Sequence, residues 1–182
     1  MSATHSDDDS PTPAGGPGLD VGSWNRFIPS LTHLLQQTGP DDGVIGVRLT
    51  AAAPIVTAAT AAHARPEGGL RRLLGRRRRL SPSPLPPVLT VRTRPDAVVL
   101  TAPLLDDDGR ARLGEDALAA LDSLGWKRQD DAMVLHVVDA AAAAELSTRV
   151  LIEVFDVAHP ADLVAVAEPA AAAGHPSSSA SV

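Results

Sequence analysis

The sequence predicts an α+β fold, an antiparallel sheet packed by helices. Three observations carry this expectation. Helix-like and strand-like stretches do not alternate in the βαβ rhythm that a parallel sheet needs. Two apolar runs, residues 88–94 and 98–102, flank a Pro-Asp turn and read as a β-hairpin. Apolar residues recur at helical spacing near the start, the middle and the end of the chain.

The first helix rests on Val21, Trp24, Ile28, Leu31 and Leu35, which share one face, with Phe27 and Leu34 widening the stripe. Asp20 or Ser23 is placed to cap it, and Gly39-Pro40 to end it. Pro29 lies inside the pattern and either kinks the helix or marks where its regular part begins. Residues 43–50 (GVIGVRLT) read as a strand rich in β-branched residues. Residues 51–62 mix alanine with Ile55, Val56 and Thr57 and read as a frayed strand extension or irregular chain. Residues 65–87 read as an insertion with an arginine-rich stretch and a proline-rich end, the latter expected to be extended and solvated.

In the hairpin, Leu89, Val91 and Thr93 share one face, and Val88, Thr90 and Arg92 the other. Pro95 and Asp96 suit the two central turn positions. A two-residue loop places Val98 and Leu100 beside the first set, and Val99 and Thr101 beside the second. A loop at residues 106–109 follows, then a helix over 113–124 with Leu118, Leu121 and Leu124 inward. Gly125 takes the left-handed position at its end, and Trp126 anchors the packing. Residues 126–129 read as a short strand, Asp130-Asp131 as a turn, and 132–138 as an apolar strand. Asp139 caps the last helix, whose inward face is Leu146, Val150, Val154 and Val157. His159-Pro160 stops it. The order is α-β-β-β-α-β-β-α.

The chain has 182 residues, enough for one domain of ordinary size. Residues 1–18 and 169–182 lack apolar periodicity and read as disordered tails around a domain at 19–168. Four aromatic residues (Trp24, Phe27, Trp126 and Phe155) leave a core built from aliphatic side chains. The absence of cysteine excludes disulfides and thiolate metal sites. No secretory leader and no membrane-spanning run is expected, which makes the cytoplasm the expected location.

No pattern of catalytic residues, no metal site and no cofactor motif is found. The histidines lack metal-ligand spacing, and His136 reads as an ordinary strand residue. Asp106-Asp107-Asp108-Gly109 resembles the start of a calcium loop, but the twelfth position is Ala117, so a solvated turn is the better reading. Glu115 and Asp116 complement a helix dipole. Net charge is −6, yet Arg71, Arg72, Arg76, Arg77, Arg78 and Arg79 crowd one stretch. They mark an anion or acidic-partner contact, or a solvated loop. No aromatics interleave for base stacking.

The Trp24-x-x-Phe27 start with Leu31 and Leu34, the Leu124-Gly125-Trp126 helix end, and the closing Val154-Phe155-Asp156-Val157-Ala158-His159-Pro160 stretch occur together. In these features the chain resembles the bacterial YbjN-like and type III secretion chaperone-like peptide-binding families, over residues 19–163. The resemblance implies the same element order, a homodimer, and binding of an extended segment of another protein. The insertion at 65–87 departs from the compact family pattern. The function expected is a non-enzymatic chaperone or adaptor that holds a peptide on the sheet or its edge. The more polar hairpin face (Val88, Thr90, Arg92, Val99 and Thr101) supplies the candidate contacts. The alternative is a regulatory protein that binds nucleic acid or another polyanion through the arginine cluster.

Overall fold

The computed structural model describes residues 18–38, 44–53 and 80–169. The chain runs through α1 (Trp24–Gln37), β1 (Val44–Ala51), β2 (Val88–Thr93), β3 (Val98–Pro103), α2 (Glu115–Ser123), β4 (Lys127–Gln129), β5 (Ala132–Val137), α3 (Ala140–Glu153) and β6 (Leu163–Pro169). The strands form one sheet in the order β4-β5-β3-β2-β1-β6, with every neighbouring pair antiparallel. The expected α+β class and order are present, with one strand added after the last helix.

The hairpin register is the one its turn predicts. Arg94 N–H donates to the Ala97 carbonyl at 2.8 Å, closing a loop with Pro95 and Asp96 at its tip. Thr90 then faces Thr101, and Val91 faces Leu100. Because side chains alternate, the inner face collects Val47, Leu49, Leu89, Val91, Leu100 and Met133. Onto this face α1 brings Phe27, Leu31 and Leu35, and α3 brings Ala143, Ala144, Val150 and Leu151. The alanines keep α3 close, so it contacts both α1 and strands β2, β3 and β5.

α2 starts at Glu115, two residues later than the spacing suggests, and buries Ala117 and Leu121. Gly125 takes φ +88°, which lets the Trp126 N–H donate back to the Leu121 carbonyl at 3.1 Å and turns the indole fully into the core. Asp139 caps α3 by accepting from Ala142 N–H at 2.8 Å. No described helix is long and apolar enough to cross a membrane.

Four local expectations change. α1 continues through Pro29, whose ring lies on its exposed side. Neither proposed cap serves α1: the Ser23 side chain makes no cap bond, and Asp20 instead accepts from Gly22 N–H at 2.9 Å. The proline-rich end is extended but pinned rather than solvated. Ser83 N–H donates to the Ala111 carbonyl at 2.7 Å, and the Arg112 guanidinium donates to the Pro86 carbonyl at 3.0 Å. Finally, α3 ends at Glu153, before the expected stop at His159-Pro160, so Val154 and Val157 lie beyond the helix. His159 Nδ1 accepts from Ala161 N–H at 3.1 Å, forming a single turn at Pro160–Asp162 that delivers the chain into β6 beside β1.

Candidate functional site

The outer face of the sheet carries the residues that the fold does not use for its core. Val88, Val99 and Val134 lie on this face and stay outside the cluster that joins the helices to the inner face. Across β2, β1 and β6 the face is held by an ion-pair relay. Glu168 on β6 accepts from Arg48 Nε on β1 at 2.7 Å and from Arg92 Nη2 on β2 at 2.9 Å. Burial opposes ionisation of Glu168, but the hydrogen bonds and charges of Arg92 and Arg48 outweigh it and hold the carboxyl below its ordinary range. The carboxylate is nearly enclosed, while the two arginine side chains remain about half exposed, at 51% and 44%.

Gly46 makes this relay possible. It pairs with Glu168 on one side and with Arg92 on the other, next to a register shift in β1. A Cβ at Gly46 would lie 2.1 Å from the Val91 carbonyl oxygen. A residue with no side chain leaves the lane between Glu168 and Arg92 open and lets β1 approach β2.

The two sheet edges differ. β4 is three residues long, Lys-Arg-Gln, and all three are exposed, which is how soluble proteins discourage strand pairing. β6 is seven residues long, and among the described residues its only strand neighbour is β1. Val164 and Val166 point outward from it, 60% and 51% exposed. Ala165 lies half-buried on its other side. A strand of this length and apolar character is a template for a further extended segment.

A second polar cluster is structural. Asp106 is buried and accepts from Ser83 Oγ at 2.7 Å, from Arg110 Nε and N–H at 2.8 Å each, and from Asp108 N–H at 3.0 Å. Burial works against its ionisation, but the Ser83 and Arg110 bonds overcome that and drive its pKa far below the usual carboxylate range. Of the expected solvated turn, Asp107, Asp108 and Gly109 face water and Asp106 does not. Among the described residues, the cleft of about 160 Å³ between Ala51–Ala53 and Phe155–Ala158 is too small to enclose a typical metabolite.

The structure brings all five predicted hairpin residues onto one face. Val88, Thr90 and Val99 expose less than a tenth of their surface, so Arg92 and Thr101 are its accessible members. The six arginines at 71, 72 and 76–79 lie outside the described residues. His136 sits exposed on the outer face of β5. Sequence reasoning missed Arg48, Glu168, Val164 and Val166. The alternation of Leu163 to Val166 was a legible strand signal, whereas nothing local links Glu168 to partners 120 and 76 residues away.

A family model described as TY-Chap3, "T3SS (YopN, CesT) and YbjN peptide-binding chaperone 3", matches residues 20–169, from just before α1 to the end of β6. No curated protein and no solved structure matches the chain.

Proposed function

The chain belongs to the TY-Chap3 family of type III secretion (YopN, CesT) and YbjN peptide-binding chaperones, and from that premise we propose that it holds an extended segment of another protein as an added strand along β6. The observation that carries this reading is the contrast between the two edges. β4 is short and charged, while β6 is long and presents Val164 and Val166 to solvent. Backbone hydrogen bonds along β6 would supply affinity regardless of sequence, and side chains laid over the valines and the neighbouring outer face would supply selection. The reading contains no catalytic step. The cytoplasmic location and the homodimer expected from the sequence stand as parts of the same proposal.

The test uses the full chain and overlapping peptides from proteins that co-purify with it. Val164→Lys with Val166→Lys places positive charges on an edge strand whose one charged residue is Glu168, without touching the core, since both valines are more than half exposed. Peptide affinity is expected to fall by tenfold or more while the unfolding midpoint stays put. On binding, the amides of β6 should gain protection from hydrogen exchange. Unchanged affinity in the double variant would remove β6 as the docking edge.

A further inference from the structure

The outer face next to β6 has a charge pattern that runs against the molecule as a whole. Net charge is −6, yet the outward strand positions carry Arg48, Arg92 and Lys127 against the single carboxylate of Glu168. Glu168 serves both arginines, and each grips it through one nitrogen, Arg48 with Nε and Arg92 with Nη2. One carboxylate therefore neutralises one of two guanidinium groups, and both side chains remain about half in water. Guanidinium favours two parallel bonds to a carboxylate, and among the described residues no second acid pairs with Arg48 or Arg92.

We infer that the segment docking on β6 is acidic as well as apolar, with glutamate or aspartate side chains on its outward side engaging Arg48 beside Val164 and Val166. The inference rests on the β6-edge reading and adds the ligand's chemical class. A strand added outside β6 lies two inter-strand spacings from β1, roughly 10 Å. Arg48 leans toward β6 to meet Glu168, so the long side chains of the arginine and of a ligand glutamate span that gap between them. Arg92 lies one strand further in and acts by holding Glu168, which leaves Arg48 the charge to share. The protein's overall negative charge does not forbid this contact. Exposed charges beyond about 8 Å are screened at physiological salt, so the nearest guanidinium groups dominate. Their effect is selection among extended peptides, since backbone pairing alone is indifferent to sequence.

The experiment measures fluorescence anisotropy of the full chain with three labelled, end-blocked peptides that alternate valine with glutamate, glutamine or lysine. The glutamate peptide is expected to bind on the order of tenfold tighter than the glutamine one, and the lysine peptide weakest, with the preference shrinking at high salt. Arg48→Gln, which keeps the Arg92–Glu168 pair intact, should bring the glutamate-to-glutamine ratio close to one while leaving glutamine-peptide affinity unchanged. The triple variant Arg48→Gln, Arg92→Gln, Glu168→Gln removes the cluster without stranding a buried charge and should give the same ratio. Equal affinity for the glutamate and glutamine peptides, or a preference that survives both variants, overturns the inference. If Val164→Lys with Val166→Lys still abolishes glutamine-peptide binding in that case, the edge reading stands without it. If no peptide binds, both fall.

Discussion

Three residues do more for this protein than their size suggests. Gly46 is the most constrained, because any side chain there collides with the Val91 carbonyl at 2.1 Å, and that backbone cannot retreat without breaking β1 from β2. Gly46→Ala is expected to cost roughly 2–4 kcal/mol, read as a drop in the urea midpoint. Glu168 holds Arg48 and Arg92 in place from an almost enclosed position. Asp106 ties Ser83, and with it the approach to β2, onto the loop at 106–112. Both carboxyls have pKa values lowered in the folded state. Such a group adds stability above its unfolded pKa, about 4, and that stability is lost as pH falls through the lower folded value. Stability should thus be full at neutral pH and decline in acid below pH 4. Asp106→Asn should be less stable at pH 7, with a flatter acid limb in its unfolding profile. An acid limb as steep as that of the parent chain would remove Asp106 from this role.

The elements show where local signals suffice and where they do not. The hairpin of β2 and β3 was legible because alternation and a Pro-Asp turn set its register within sixteen residues of chain. The Gly125 turn and the Asp139 cap were legible for the same reason, since each bond closes within a few residues. α1 is a different case. Pro29 lacks the N–H that would donate to the Asn25 carbonyl, yet the helix continues because Phe27, Leu31 and Leu35 are all buried against the core. Packing overrides the break, so Pro29→Ala should stabilise the protein by about 1–3 kcal/mol in thermal or urea unfolding. β6 was overlooked because its run from Leu163 to Ala167 is apolar on both faces: Leu163 is buried and Ala165 half-buried on one side, while Val164 and Val166 are exposed on the other.

For the whole molecule, one cluster of buried residues links all three helices to the inner face. Unfolding is expected to be a single transition, with tryptophan fluorescence and far-ultraviolet circular dichroism giving the same midpoint. Trp126, fully buried, reports on the core, and Trp24, whose Nε1–H donates to the Ala158 carbonyl at 3.2 Å, reports on the seam between α1 and the chain after α3. Non-coincident midpoints would mean that the β6 side opens separately. The sequence by itself determined the α+β class, the hairpin register, the Gly125 turn, the Asp139 cap and a resemblance to peptide-binding chaperones, because each depends on spacing within a short stretch. Only the tertiary structure decided which strands end the sheet among the described residues, which arginines share Glu168, and whether the predicted hairpin face is accessible. Those outcomes depend on β6 returning to pair with β1 across more than a hundred residues, and no local pattern encodes a contact between segments that meet only when the sheet has formed.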